Sequence, residues 1–155
     1  MKLVLQRVSR AAVTVDGQTV GEIGEGLLLL LGVAAGDAEY DADLLAAKAV
    51  NCRIFSDDEG RMNRSVLDVN GAFLIVSNFT LLGNYRHGNR PDFFGAADPA
   101  AAEKLYEYFI ARVRERGVPV ATGRFGEHME IDLTADGPVT LVMESDALKK
   151  KGEKA

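Results

Sequence analysis

A run of five leucines, Leu27–Leu31, constrains the fold of this 155-residue chain more than any other feature. The run continues only through Gly32 and Val33, so it is far shorter than the roughly 20 apolar residues that a membrane-spanning helix needs. A short apolar run bounded by glycines is typical of a strand buried on both faces. We therefore predict a sheet with this strand at its centre, and we expect no membrane partner.

Alternating and apolar segments along the rest of the chain predict further strands. The dipeptide Asp16-Gly17 favours a type I′ turn, which predicts a hairpin between the strands before and after it. The predicted strands span residues 3–8, 11–15, 18–23, 54–55, 71–79, 118–122, 129–134 and 139–143.

Two helices are predicted from their caps and their apolar spacing. Asp37 caps a helix that runs to about Val50, with an apolar stripe formed by Tyr40, Leu44, Ala47 and Val50. The second helix has Asp98 as N-cap, Pro99 at its first position and Gly117 after its end. Its predicted buried face consists of Ala102, Leu105, Tyr106, Phe109 and Val113.

Two helices among eight or nine strands predict a mixed α+β fold, because one helical layer covers only part of such a sheet. The remaining apolar faces either close into a barrel or are buried against a second subunit, which favours a homodimer. Residues 1–145 form one predicted domain, and residues 146–155 form a charged, disordered tail. No signal peptide is recognisable, and the one cysteine, Cys52, suits a reducing compartment, so we expect a cytoplasmic protein.

The residues that could hold a metal or act as nucleophiles form no familiar pattern. His87 and His128 have no paired spacing with each other or with Cys52, so neither a metal nor another cofactor is expected. A serine hydrolase built from Ser77, His128 and either Asp132 or Asp136 is conceivable, although the chain has no Gly-x-Ser-x-Gly elbow. This alternative stays open.

Two stretches suggest a pocket rather than plain structure. Polar groups follow a very apolar strand in Ser77-Asn78-Phe79-Thr80-Leu81, where burying them unpaired would be unfavourable. In Asp136-Gly137-Pro138-Val139-Thr140, glycine allows another molecule to approach the backbone closely, and a Gly-Pro bond adopts the cis form at little cost.

These two stretches, together with Leu5-Gln6-Arg7-Val8 and Gly88-Asn89-Arg90-Pro91, resemble the D-aminoacyl-tRNA deacylase family. Three further segments, 26–28, 53–55 and 61–63, are similar to that family in the same order, so the resemblance covers residues 1–145. It implies a homodimeric, barrel-like hydrolase that cleaves the ester between a D-amino acid and the terminal adenosine of tRNA. The resemblance implies no metal and no cofactor.

The resemblance also implies roles for individual residues. Ser77, Phe79 and Thr80 match the catalytic segment, where backbone N–H groups stabilise the oxyanion and the substrate's ribose 2′-OH assists. Gly137 and Pro138 match a Gly-cisPro motif that enters the partner's pocket, where it excludes L-amino acids by steric clash. Because glycine has no side chain to clash, we expect glycyl-tRNA to be accepted as well. The residues matched to substrate binding and to support of that motif are Arg7, Asn78, Ala102, Phe125 and Met129.

Two substitutions depart from the family pattern. Asn78 stands where the family has Gln, and Ala135 stands where it has Asn. If they have impaired the site, the fold serves instead as a non-catalytic module that binds the tRNA 3′ end. A small-ester serine hydrolase is the other alternative.

A tRNA partner requires a local basic surface, because the chain carries a net charge of −5 and tRNA is acidic. The candidate contacts are Arg7, Lys48, Arg53, Arg64, Arg86 and Arg90.

Overall fold

The structure is a computed structural model that describes residues 1–149. Its strands are β1 (Lys2–Val15), β2 (Gln18–Ile23), β3 (Gly26–Gly32), β4 (Phe55–Ser56), β5 (Met62–Arg64), β6 (Ala72–Ser77), β7 (Val120–Thr122) and β8 (Glu130–Glu144). Its helices are α1 (Glu39–Val50), α2 (Pro99–Glu115) and α3 (Ser145–Leu148), and a 3₁₀ helix spans Phe79–Leu82.

Strand β1 organises the main sheet because both of its edges are paired. One edge pairs with β8 along almost the whole strand, while the other pairs first with β3 and then with β2. Strands β3, β6 and β7 continue the sheet in parallel, which gives the order β2-β1-β3-β6-β7. A long strand shared in this way produces the barrel-like sheet of the predicted α+β fold; a second, small sheet joins β4 to β5.

The leucine run forms β3, and it is buried as predicted: Leu27, Leu29 and Leu31 are at most 1% exposed. The Asp16-Gly17 hairpin is also confirmed, since Val15 pairs with Gln18 and both turn residues have positive φ. The two strands predicted at 3–8 and 11–15 are one continuous strand. Pairing with β8 continues through Arg10, so the backbone stays extended where the side chains turn polar.

Helix α2 matches its prediction closely. The Asp98 carboxylate accepts the Ala101 N–H at 3.2 Å, and Gly117 follows the helix with φ +87°. The buried residues of α2 are Leu105, Tyr106, Phe109, Ile110 and Val113, while Ala102 is half-buried beside the core.

The apolar stripe predicted for α1 is wrong except at Val50, which is buried. Tyr40 is 45% exposed, and the buried face consists of Asp41, Ala42, Leu45, Ala46, Ala49 and Val50. Alanine side chains let α1 pack closely in the core, and Asp41 is buried because Ser145 and Lys149 satisfy its carboxylate. The predicted cap Asp37 instead accepts the Ala34 N–H at 2.6 Å.

The predicted disordered tail is wrong for residues 146–148, because these belong to α3, so the described chain has three α-helices rather than two. Lys149, at the end of α3, forms ion pairs of 2.8 Å with Asp41 and 2.9 Å with Asp146. The rest of the predicted tail, 150–155, lies outside the described residues. Within residues 1–149, every helix is too short or too polar to cross a membrane.

Candidate functional site

A cavity of about 830 Å³ opens at the carboxyl end of β6. Its walls come from the end of β6 with the 3₁₀ helix, from the chain entering α2, from α2 itself and from the chain before β8. The lining residues from these elements and β3 are Leu30, Leu31, Val33, 76–80, Phe93, 96–97, Pro99, Ala102, Tyr106, 125–129 and Ile131.

Most residues predicted for the site lie together in this cavity. The cavity-lining residues among them are Ser77, Asn78, Phe79, Thr80, Ala102, Phe125 and Met129. Arg7, Gly137 and Pro138 do not line it; they lie on β1 and β8.

The turn after β6 fixes the backbone of the cavity wall. Asn78 is the N-cap of the 3₁₀ helix: its Oδ1 accepts the Thr80 N–H at 3.2 Å and the Thr80 hydroxyl at 2.5 Å. Among residues 1–149, no acceptor takes the Phe79 N–H. The wall therefore offers one free backbone donor, at Phe79, and one that Asn78 already occupies, at Thr80.

The Phe79 side chain is 58% exposed and meets the Phe93 ring edge to face, with centroids 5.1 Å apart. This contact joins the 3₁₀ helix to the chain that enters α2 and holds two cavity walls against each other.

Tyr106 is a cavity residue that the sequence reasoning assigned only to the buried face of α2. Its hydroxyl donates to the Ile75 carbonyl at 2.8 Å, and its ring lies 5.8 Å from that of Phe125. Burial raises the pKa of Tyr106 to about 12. Its spacing of four residues from Ala102, on one helix face, was the pattern that could have predicted it.

The segment 136–139 protrudes from the sheet. Gln6 pairs with Thr140 and Val8 with Ala135, so residues 136–139 stand opposite Arg7 alone. Gly137 and Pro138 are exposed, joined by a cis peptide bond, and Gly137 has φ +129°.

Arg7 braces this protruding segment. Its Nε donates to the Asp136 carbonyl and lies 3.1 Å from the Asp136 carboxylate, and its Nη1 donates to the Ile54 carbonyl at 2.6 Å. The Arg7 side chain is only 11% exposed. The main chain next to Gly137 is thus held by a partly buried guanidinium.

The residues considered for a serine hydrolase are not assembled as a triad. Ser77 and His128 both line the cavity, but neither Asp132 nor Asp136 does. Asp132 lies 3.6 Å from Arg10, and Asp136 pairs with Arg7. In the described part of the chain, no group of three or more His, Cys, Asp or Glu side chains is placed to hold a metal ion.

The chain is similar to known proteins in both sequence and structure. The family described as D-Tyr-tRNA(Tyr) deacylase matches residues 4–144. A D-aminoacyl-tRNA deacylase of Ruegeria pomeroyi is 56% identical over 93% of this chain and 99% of its own length. A Bacillus cereus protein of the same name is 52% identical over 94% of this chain and 99% of its own length.

Two solved structures are similar to the chain. A structure named c-Myc DNA Unwinding Element Binding Protein is 38% identical, with a TM-score of 0.88 over 93% of this chain and 98% of the other. A probable eukaryotic D-amino acid tRNA deacylase is 18% identical, with a TM-score of 0.76 over 92% of this chain and 98% of the other, and it supports the fold alone.

Proposed function

The chain belongs to the D-Tyr-tRNA(Tyr) deacylase family, and we propose that it hydrolyses the ester joining a D-amino acid to the 3′-terminal adenosine of tRNA. It is an ester hydrolase by this membership. The observation that carries the proposal is the cavity of about 830 Å³ whose wall is the Ser77–Thr80 segment. Its volume falls in the usual range for small-molecule sites. The products are the free D-amino acid and tRNA, and the compartment is the cytoplasm.

The catalytic contribution is positioning and oxyanion stabilisation, because an aminoacyl ester is already activated. Water attacks the ester carbonyl carbon, the bond from that carbon to the ribose oxygen breaks, and the ribose oxygen takes up a proton. The Phe79 N–H donates to the developing oxyanion, which its lack of an acceptor among the described residues supports. The Thr80 N–H is a second donor, shared with Asn78.

The hydroxyls of Ser77 and Thr80 position the substrate rather than attack it. The Thr80 hydroxyl donates to Asn78 Oδ1, so its proton faces an amide oxygen and not a base. Proton transfer then falls to the substrate's own ribose 2′-OH, which is adjacent to the ester.

Selection between D- and L-amino acids uses the protruding segment as a wall. The two isomers carry the same groups on opposite sides of Cα, so added attraction discriminates poorly, whereas a rigid obstacle excludes one of them. Gly137 and Pro138 are exposed, lie outside their own cavity and are braced by Arg7. We assign them to the cavity of a second copy, in a homodimer. Glycine has no side chain to exclude, so glycyl-tRNA is a further substrate.

The test is hydrolysis of tRNA charged with D-tyrosine, L-tyrosine or glycine, with amino acid release followed over time. We expect the D-tyrosyl and glycyl esters to be hydrolysed and the L-tyrosyl ester to be spared. Equal rates on D- and L-tyrosyl-tRNA would contradict the wall. Sedimentation of the same sample tests the dimer, and a monomer with full selectivity would contradict the shared cavity.

Nucleic-acid binding without catalysis is a second candidate function. It is favoured by the 38% identical structure that bears the name of a DNA-binding protein. Under this reading the cavity holds a nucleic-acid end and releases it unchanged. Tight binding of tRNA or DNA by a sample that hydrolyses none of the three esters would support it over the deacylase.

A further inference from the structure

The chain between two walls of the cavity forms an exposed loop, residues 84–92. Two backbone hydrogen bonds of 2.8 Å between Asn84 and Asp92 close its base, and Asn84 Nδ2 donates to Asp92 at 3.1 Å. The loop follows Gly83, whose backbone lies so close to the cavity-lining Phe93 that an added Cβ would lie 3.2 Å from that ring. The base of the loop is therefore continuous with the cavity wall.

A second cavity, of about 380 Å³, lies on this loop and is lined by residues 83–86. Its volume is within the range that accommodates small ligands. Tyr85 contributes to its lining and is 76% exposed. Phe94, just beyond the loop, is 92% exposed. Two large aromatic side chains, one on this loop and one just after it, thus face solvent.

Two arginines lie on the same loop as Tyr85. Arg86 lines the second cavity, Arg90 lies on the same loop, and both are exposed. Two of the other basic residues considered for tRNA are engaged elsewhere: Arg53 donates to the Asn63 carbonyl, and Arg64 pairs with Asp58. The carboxylate of the loop, Asp92, already accepts from Asn84 and from the Phe94 N–H.

We propose that this second cavity receives the nucleotide preceding the terminal adenosine of the tRNA. Tyr85 stacks on its base, and Arg86 and Arg90 neutralise the adjoining phosphates. Unpaired RNA bases characteristically stack on exposed aromatic rings, and arginines follow the backbone charge. This inference rests on the proposed function, because it requires the terminal adenosine to occupy the first cavity.

The test compares two substrates that differ only in the RNA beyond the adenosine: D-tyrosyl-tRNA and the D-tyrosyl ester of adenosine alone. For Tyr85→Ala we expect the KM for D-tyrosyl-tRNA to rise about 10-fold, which is the size of one base–aromatic stack, with kcat unchanged. On the adenosine ester, both constants stay at the wild-type values. Removing Arg86 or Arg90 lowers the slope of log affinity against log salt by about 0.7 per arginine.

Two variants away from the loop serve as controls. Lys104→Ala removes an exposed positive charge from the face of α2 opposite Ala102 and Tyr106, and Leu67→Ala removes a 40% exposed apolar side chain. Neither is expected to separate the two substrates. An equal loss of kcat/KM for Tyr85→Ala on both substrates would mean that the loop only shapes the first cavity. No loss on either substrate would contradict the proposed contact between Tyr85 and RNA.

A binding measurement keeps this inference distinguishable from the deacylase proposal. An uncharged oligoribonucleotide with the sequence of a tRNA 3′ end is titrated against wild type and Tyr85→Ala, with fluorescence anisotropy as the readout. If wild type hydrolyses neither ester, the deacylase proposal fails. Weaker binding by Tyr85→Ala would then still support the nucleotide site, and equal binding would overturn it.

Discussion

The cavity wall at 77–82 and the protruding segment at 136–139 contrast in how they are built. The first follows β6, whose four central residues are buried, is capped by its own Asn78 and lines the cavity of its own chain through residues 77–80. The second interrupts the pairing of two strands, is exposed and lines no part of that cavity. Its rigidity comes instead from a distant side chain, Arg7.

This difference separates two tasks under the proposed function. A donor in the cavity wall acts on the reaction itself, so changing it lowers the rate for every substrate. A segment supplied by a second copy of the chain determines which substrate enters the cavity, so changing that segment alters selectivity. Substitutions in the two regions should therefore leave distinct kinetic patterns.

The largest expected effect comes from Phe79→Pro, which removes the backbone N–H assigned to the oxyanion. Phe79 is the first residue of its helix, a position where proline is favoured, and it follows Asn78 in extended conformation. We expect kcat to fall about 100- to 1000-fold for D-tyrosyl- and glycyl-tRNA alike. Single-turnover hydrolysis measures the effect.

Phe79→Ala is the matched control, since it removes the ring and its contact with Phe93 but keeps the N–H. It should retain most of the wild-type kcat. Equal losses in the two variants would assign the effect to the ring and would count against the backbone donor.

Arg7→Ala should have the next largest effect, because it frees the main chain beside Gly137 and leaves the Ile54 carbonyl without its donor. A displacement of about 1 Å at a reacting site lowers rates about 100-fold. We expect a loss of that order in kcat/KM for D-tyrosyl-tRNA, together with measurable hydrolysis of L-tyrosyl-tRNA. Arg10→Ala, on the same strand and 61% exposed at its side chain, is the control that should change neither. Retained selectivity in Arg7→Ala would contradict the bracing role.

Gly137→Ala should change selectivity more than rate. A Cβ at this position would lie 2.8 Å from the Val139 nitrogen and 2.9 Å from Val139 Cγ2, and the φ of +129° disfavours any side chain. The segment must shift, so we expect the ratio of D- to L-tyrosyl-tRNA hydrolysis to fall about 10-fold, the effect of roughly 1.4 kcal/mol. An unchanged ratio, measured on a variant that still melts cooperatively, would contradict the proposal that this segment excludes L-amino acids.

Tyr106→Phe should have the smallest effect, since it touches neither region directly. The Ile75 carbonyl also accepts the Gly123 N–H at 3.2 Å, so losing the tyrosine hydroxyl leaves it paired. We expect a loss of about 1 kcal/mol in the free energy of unfolding, measured by urea denaturation.

The raised pKa of Tyr106 predicts that the free energy of unfolding depends on pH. Burial raises the pKa of Tyr106 from 10.0 to about 12, so the folded chain keeps the phenol neutral where the unfolded chain ionises it. Its contribution to stability is present below pH 10 and is lost as the pH rises towards 12. Tyr106→Phe should flatten that part of the stability curve, and an identical curve in the variant would contradict the assignment.

Features with local causes were predictable from the sequence. Asp98, Pro99 and Gly117 defined α2, and Asp16-Gly17 defined the hairpin, because caps and turns depend on residues adjacent in the chain. The segment after β6 was also recognisable as a pocket wall, since polar groups there followed a buried strand.

Predictions failed where distant partners decided the outcome. The buried face of α1 includes Asp41, whose pKa lies below its usual value. Burial raises this pKa, but hydrogen bonds from Lys149, Ser145 and the Ala38 N–H, together with the charge of Lys149, lower it further. Helical periodicity gave no sign of that face, because its alanines are weakly apolar and its aspartate is charged. Helix α3 was missed for a similar reason: charged residues that suggest disorder are ordered here, since Lys149 pairs with Asp41 of α1 and with Asp146 of α3.

The amino-acid sequence by itself determined where strands, turns and the long capped helix lie, along with the residues of the cavity wall, because short-range steric and hydrophobic patterns fix these. Tertiary structure decided that 136–139 protrudes opposite Arg7, that Tyr106 joins the cavity and that the Phe79 N–H has no acceptor within residues 1–149. The Arg7–Asp136 contact joins residues 129 positions apart, and the Asp41–Ser145 contact joins residues 104 apart. Contacts at such separations depend on how the whole sheet closes, and no local pattern in the chain encodes them.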